Sequence, residues 1–399
     1  MDGFWTFVDM NSYFASCEQQ ERPELRGLPV GVVPVLAETT CFIAASYEAK
    51  VFGIKTGTPV WEGRKLCPHI RVIEARPRLY RQIHDRVVEA VHGVVPVHEV
   101  LSVDEMVCKP WKNEATLADA LRTGQRIQDS IRDRVGEWMS CSVGLGPNTF
   151  LAKVASDLQK PRGLSVITLE DIPAKLLGLE LTDWPGISHG MEARFRRHGV
   201  TTTKEMYQLR MEEMREVFGG VTGERWWKSL RGLHVDVPPI KRYQIGHSNV
   251  LAPQFRTLEG ATAVVFRMLE KAAERMRHEG YHAQRLEVHV MSATEPFWSR
   301  HADFLPCNRT GRFVSLLRRL WNPPVKAPKS VGVNLQKIIP DHEVTLNMFD
   351  DPRRADLDAV IDRLNARFGR AAVTRAVALR AAQYQSHERI PFGKPTDMR

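Results

Sequence analysis

Three carboxylates sit in stretches of this chain that otherwise read as buried β-strand, and they constrain the fold more than any other feature. Phe4-Trp5-Thr6-Phe7-Val8 is a short, apolar, β-prone run that stops at Asp9. Residues 98–108 read as a strand pair broken at Asp104-Glu105. A carboxylate taken out of water is costly unless it is paired or bound to a cation, so three of them at strand positions call for a partner. Two Mg²⁺ ions would supply one, because Mg²⁺ prefers oxygen ligands and leaves positions open for substrate phosphates. Adjacent residues in a regular strand face opposite ways. Asp104 and Glu105 therefore converge only where the chain turns, which predicts a hairpin tip. Taken alone, the acids also read as solvated strand ends or as salt-bridge partners.

The pattern around them alternates. Helical spacing marks residues 11–20, 79–91, 117–134 and 147–158, and strand character marks 28–33, 41–45 and 139–145. Acid-bearing strands with helices between them predict an α+β sheet with its helices on one face. Short helices with glycine turns follow from Leu169 to about Val235. Pro238 and Pro239, with Lys241 and Arg242 just after them, make a semi-rigid connector. Beyond it, strand, helix, two strands, helix and strand are predicted at 244–251, 257–278, 284–291, 297–304, 309–321 and 330–336, a β-α-β-β-α-β module. One more helix is predicted at 356–368. No internal repeat or low-complexity segment is present.

At 399 residues the chain is long enough for two to four domains. Its 43% hydrophobic and 26% charged content is that of a globular protein. No apolar run approaches the roughly 18 residues of a membrane span. Residues 1–14 lack a basic n-region and carry Asp2 and Asp9, unlike a signal peptide. The six cysteines are scattered without a CxxC, which predicts reduced thiols in the cytoplasm rather than a disulfide framework or zinc site. The net charge of +9 is unevenly spread: residues 241–399 hold 26 basic against 16 acidic side chains, and residues 1–240 hold 30 against 31. A near-neutral body with a basic C-terminal module suits a polyanion such as nucleic acid, and on charge alone it suits generic solubility equally well.

Four motifs then converge on one family. They are Val8-Asp9-Met10-Asn11-Ser12-Tyr13-Phe14-Ala15-Ser16-Cys17-Glu18; Tyr47-Glu48-Ala49-Lys50-Val51-Phe52-Gly53-Ile54-Lys55-Thr56-Gly57; Ser102-Val103-Asp104-Glu105; and Ser142-Val143-Gly144-Leu145-Gly146-Pro147-Asn148 with Leu151-Ala152-Lys153-Val154-Ala155-Ser156 and Lys160-Pro161-Arg162-Gly163. In order and spacing they resemble the motifs of Y-family translesion DNA polymerases, strongly over residues 1–240 and weakly beyond, and nearer the bacterial polymerase IV type than the polymerase V subunit. The resemblance implies an α+β right-hand polymerase. Its palm would be 1–14 and 76–168, its fingers 15–75, its helical thumb with a helix-hairpin-helix 169–235, its linker 236–243, its β-α-β-β-α-β little finger 244–340, and a C-terminal extension 341–399. The implied reaction is template-directed, low-fidelity insertion of deoxynucleotides opposite damaged or undamaged template.

The resemblance also implies residue roles. Asp9 and Asp104 would bridge two Mg²⁺ ions, with Mn²⁺ an alternative, Glu105 would complete the ion near the primer 3′ hydroxyl, and the Met10 carbonyl would be a further ligand. Tyr47, Lys50 and Lys160 match positions that hold the triphosphate. Phe14 matches the bulky residue that stacks on the sugar and excludes a 2′ hydroxyl, with Tyr13 beside it in the nucleotide site. Cys41 and Ile43 match the roof over the nascent base pair. Departures from the family pattern are Ile43 where smaller residues occur, Lys50 in place of an arginine fork, Asn11 in place of a second Asp, and Gly146-Pro147-Asn148-Thr149 in place of a lysine-bearing loop. Trp184-Pro185-Gly186-Ile187-Ser188 resembles a helix-hairpin-helix that holds a DNA phosphate. Thr345-Leu346-Asn347-Met348-Phe349 resembles a sliding-clamp peptide without its leading Gln. The implied partners are primer-template DNA, deoxynucleoside triphosphates and a clamp, with no membrane, and the implied state is a monomer. Two rivals stand beside this reading: a catalytically silent polymerase-like scaffold that binds DNA, and another palm-type enzyme such as a nucleotide cyclase.

Overall fold

The structure, a computed structural model, describes residues 3–109, 116–236, 243–292, 294–345, 353–369, 372–374 and 392. They fall into two units, one within residues 1–237 together with Phe392, the other within residues 238–387.

The first unit carries strands β1 (Trp5–Met10), β2 (Val30–Val33), β3 (Ala44–Ala45), β4 (Arg71–Glu74), β5 (Val97–Val100), β6 (Glu105–Cys108), β7 (Cys141–Gly146) and β8 (Leu164–Val166). Its helices are α1 (Tyr13–Glu21), α2 (Tyr47–Lys50), α3 (Val60–Leu66), α4 (Pro77–His92), α5 (Leu117–Arg134), α6 (Thr149–Leu158), α7 (His189–Arg197), α8 (Thr203–Gln208), α9 (Met211–Phe218) and α10 (Val221–Leu230). The main sheet runs β5-β6-β1-β7-β8, with β1 antiparallel to both neighbours; a smaller sheet runs β3-β2-β4. The four-residue β4 and three-residue β8 are parallel edge strands, too short for an alternation to be legible in the sequence.

Alternation along β1 sorts its side chains onto two faces. Val8 and Met10, with Met106 of β6 and Val143 and Leu145 of β7, pack on Ile83, Val87 and Val91 of α4 and Ile127 and Ile131 of α5. Phe7 and Val107 point the other way, onto Ala152 of α6. Helices therefore cover both faces of the sheet, not one as the pattern predicted. The reason is a pair of glycines. A Cβ on Gly144 would lie 2.0 Å from the Ala152 carbonyl, and one on Gly146 2.6 Å from the Ala152 nitrogen, so only glycine in β7 lets α6 cross so closely. Asp9 is in phase with Phe7, and Glu105 with Val107, which puts both acids on the face that α6 crosses.

Asn148 caps α6 by accepting from the Leu151 N–H at 2.8 Å, and its amide donates to the carbonyls of Ser229 and Leu233. Leu151 and Val154 of α6 join Trp184, Phe195, Met206, Met214 and Leu230 in a helical core. Near the predicted helix-hairpin-helix, α7 follows Ser188, but upstream stands only the 3₁₀ turn Leu181–Asp183. Pro173 and Gly178 punctuate the stretch before it, so no regular helix precedes the turn. Trp184 is buried and donates from Nε1 to the Thr203 hydroxyl.

The second unit contains β9 (Gln244–Val250), α11 (Leu258–His278), β10 (Tyr281–Ser292), β11 (Trp298–Cys307), α12 (Thr310–Leu320), β12 (Pro328–Gln336), β13 (Ile339–Pro340) and α13 (Arg353–Phe368). Its antiparallel sheet, ordered β11-β10-β12-β9, realises the predicted β-α-β-β-α-β pattern, with α11 and α12 packed on Leu286, Val288, Val331 and Val333. The later helix, α13, is tied to this module: Asp362 takes both arms of Arg277 at 2.7 and 2.8 Å, and Asp358 accepts from the Thr310 N–H at 3.0 Å. Residues 237–242 of the predicted linker 236–243 and residues 346–349 of the clamp-like peptide lie outside the described residues.

Candidate active site

Strand register brings the acids together. Asp9 is directly opposite Glu105 across β1 and β6, and Asp104 is the last residue of the turn that joins β5 to β6. That turn is the predicted hairpin tip. It is fastened by the Met10 N–H donating to the Asp104 carbonyl at 2.9 Å and by His84 Nδ1 donating to the Val103 carbonyl at 2.7 Å. Ser102 donates its hydroxyl to Asp104 at 2.6 Å. Burial, with the charges of Glu105 and Asp9 adding to it, pushes the Asp104 carboxyl up to about 6.

Two lysines answer this negative charge. Lys153, on α6, pairs with Asp9, with Glu105 at 2.8 Å and with Asp157 at 3.4 Å; Lys160 pairs with Asp9 at 2.8 Å and Asp157 at 2.7 Å. Burial works against the Lys153 ammonium, but Asp9, Glu105 and Asp157 outweigh it and hold its pKa above the ordinary lysine value. Sequence reasoning assigned a role to Lys160 but to neither Lys153 nor Asp157. Their signal was the 4–3 spacing of Lys153, Asp157 and Lys160, which sets all three along one edge of a helix and its exit.

Tyr47 and Lys50 lie within electrostatic reach of Asp9. Lys50 Nζ lies 4.2 Å from the centre of the Tyr47 ring. Burial, with Asp9 and Asp157 adding to it, pushes Tyr47 up to about 12, and burial beside Lys160 lowers Lys50. Asn11, the departure in the first motif, is part of the scaffold: its side chain accepts from Ser142 at 2.9 Å and Tyr47 at 3.4 Å and donates to Ser140. Phe14 packs on Tyr80 with ring centres 4.7 Å apart, and Phe392 meets it edge-on at 5.5 Å. Tyr13 donates its hydroxyl to the Tyr80 carbonyl at 2.6 Å and is buried. The Phe42 ring is wedged between Gly31 and Gly63, each too close to carry a side chain. Alternation then turns Cys41 and Ile43 the other way, Cys41 exposed and Ile43 half-buried.

The donor chemistry of the three acids fits Mg²⁺: hard oxygens on two adjoining strands and the turn beside them, with an excess of negative charge. Among the described residues, however, no group of three or more acidic, histidine or cysteine side chains is arranged to hold a metal ion as it stands. In this arrangement Lys153 is seated on Asp9 and Glu105.

Known proteins bear on the same residues. The impB/mucB/samB family matches residues 8–157, and its C-terminal domain matches residues 242–348. The DNA polymerase IV of Moorella thermoacetica is 34% identical over 94% of this chain and 96% of its own length; that of Pelotomaculum thermopropionicum is 30% identical over 94% and 95%. A Y-family DNA polymerase chimera shares the fold, with a TM-score of 0.69 over 84% of this chain and 99% of its own at 22% identity. The insertion ternary complex of Dbh DNA polymerase shares it at a TM-score of 0.57, with 21% identity over the same shares of the two chains. A family match in both units and relatives aligned over nearly the whole length leave the nucleotide-cyclase alternative without support. The chain belongs to the Y-family DNA polymerases and is a DNA-directed DNA polymerase.

Proposed function

We propose that the enzyme inserts deoxynucleotides at low fidelity opposite damaged or undamaged template, by two-metal-ion phosphoryl transfer from the face of the sheet crossed by α6. The observation that carries this reading is the cross-strand pairing of Asp9 with Glu105, with Asp104 at the adjoining turn. Asp9, Asp104 and Glu105, with the Met10 carbonyl, offer oxygen donors to Mg²⁺ or Mn²⁺. Such ions, when bound, lower the pKa of the attacking 3′ hydroxyl and neutralise the leaving pyrophosphate.

The other roles follow from chemistry and position. Tyr47, Lys50 and Lys160 hold the triphosphate through charge-assisted bonds. Phe14 excludes a 2′ hydroxyl by shape, with Tyr13 packed behind it. Cys41 and Ile43 roof the base pair; a small roof admits distorted templates and gives up shape selectivity. We assign palm, fingers, thumb, linker, little finger and C-terminal extension to the segments expected from sequence, with the basic little finger gripping duplex phosphates. Sliding-clamp binding through residues 345–349, a monomeric state and a cytoplasmic location complete the proposal.

Primer extension with Mg²⁺ on intact and abasic templates tests it against the silent-scaffold alternative. Asp104→Ala should lower incorporation at least ~10³-fold, several kcal/mol of barrier, while primer-template binding stays near wild type. Extension by this variant within about tenfold of wild type, only ~1.4 kcal/mol, would overturn the assignment.

A further inference from the structure

The ammonium of Lys153 occupies an unusual place. Its helix crosses the sheet at the glycine pair of β7, so its side chain reaches onto the acid-bearing face. Nζ bonds Asp9 and lies 2.8 Å from Glu105, two carboxylates that face each other across β1 and β6. The Phe7 ring, centred 5.0 Å away, flanks the same ammonium. Only 18% of the side chain is exposed, so this is not a solvated surface pair. Asp157, one helical turn on at 3.4 Å, offers the head group a second anchor beyond the two strand acids.

We propose that Lys153 is a resident cation that competes with the divalent ion for Asp9 and Glu105, and so sets the metal affinity of the free enzyme. The inference rests on the reading that these two acids are metal ligands. An ammonium and a Mg²⁺ ion cannot share the same carboxylate oxygens at contact distance, because like charges repel strongly in a poorly solvated site. A metal ion that takes Asp9 Oδ2 or Glu105 Oε1, the oxygens the ammonium holds, therefore displaces the lysine toward Asp157. Before metal arrives, the ammonium prevents the two facing carboxylates from repelling each other. Lys153 is thus a positioning residue: it keeps the acids ordered without metal and exacts a toll on metal binding.

The test is Mn²⁺ binding to the full-length protein, without DNA or nucleotide, followed by the EPR signal of free Mn²⁺. Lys153→Met, and Lys153→Gln as a second neutral variant, should bind Mn²⁺ at least ~10-fold more tightly than wild type, since tenfold is only ~1.4 kcal/mol. Lys153→Arg keeps the charge and should stay within about threefold of wild type. In EDTA at pH 8 the neutral variants should melt lower than wild type, and added Mn²⁺ should raise their melting temperature by more. Asp9→Ala separates the two claims. If it binds Mn²⁺ as wild type does, the ligand reading itself fails. If it loses Mn²⁺ while neither neutral variant binds more tightly than wild type, the lysine inference fails and the ligand reading stands.

Discussion

Phe14 and Tyr13 are adjacent in sequence and both buried, yet they are held differently. Tyr13 is pinned by its hydroxyl to the Tyr80 carbonyl, whereas Phe14 offers only a ring, packed on the Tyr80 ring. A ring that discriminates by shape is expected to lose discrimination when truncated. Phe14→Ala should raise ribonucleotide over deoxyribonucleotide incorporation by roughly tens-fold, the ratio that an unrelieved clash of about 2 kcal/mol supplies. Tyr13→Ala should instead cost about 3 kcal/mol of stability through its cavity and lost hydrogen bond, with little change in sugar choice. Matched incorporation efficiencies in both variants decide the matter; the opposite outcome would put the motif one residue out of register. Asp104 yields a pH prediction. Its carboxyl is raised from 3.8 to about 6 in the folded protein, so the native state holds a proton that the unfolded chain has released across that window. Stability in EDTA therefore falls as pH rises from about 4 to 6, and the whole cost is present above 6. Asp104→Asn removes it. Its advantage in denaturant melts should be near zero at pH 4 and grow to at most about 3 kcal/mol by pH 7. A difference independent of pH would contradict the burial argument.

At the scale of elements, what holds α1 against α4 is a charge that the sequence pattern does not reveal. Glu18 is fully buried on α1. It takes both arms of Arg76, at 3.0 and 2.7 Å, and the Tyr80 hydroxyl at 2.8 Å. Tyr80 is also the residue on which Phe14 and Tyr13 rest, so this network sets the floor of the proposed sugar site. Its two ends are unequal, because the Arg76 side chain is 36% exposed and Glu18 has no access to water. Removing Arg76 takes the close counter-charge from a buried carboxylate, which keeps the Tyr80 hydroxyl and Arg22 at 3.8 Å, whereas removing the acid leaves an arginine that can rehydrate. Arg76→Ala should thus cost about 3 kcal/mol, Glu18→Gln less, and the Arg76→Ala/Glu18→Gln double variant less than the sum of the two. Urea melts of the three variants test the order. Equal penalties for the two single changes would show that water reaches Glu18.

For the whole molecule, the excess positive charge belongs to the second unit, whereas the acids and lysines of the candidate active site all lie in the first. Each unit has its own hydrophobic core. A chain ending after Val237 is therefore expected to fold yet bind primer-template DNA far more weakly than the full chain. Full-chain affinity should fall steeply with salt, as counterion release requires. Equal affinity of the truncated form, or a flat salt dependence, would remove the electrostatic role of residues 238–399.

Much of this was legible in the sequence, for local reasons. Apolar periodicity marked the helix Leu117–Arg134 to the residue and gave the strand–helix order of the C-terminal module, since amphipathic spacing depends only on which face is buried. The hairpin at Asp104 followed from one geometric fact, that neighbouring strand residues face apart. Tertiary structure alone decided the rest. Register chose which acid faces which, and set Asp9 opposite Glu105. The glycines of β7 brought α6 onto the sheet face expected to be bare, and with it Lys153 and Asp157. The partner of Glu18 lies 58 residues away. No local pattern encodes such pairings, because they are chosen by close packing and by the need of each buried charge for a counter-charge, and both are properties of the folded chain.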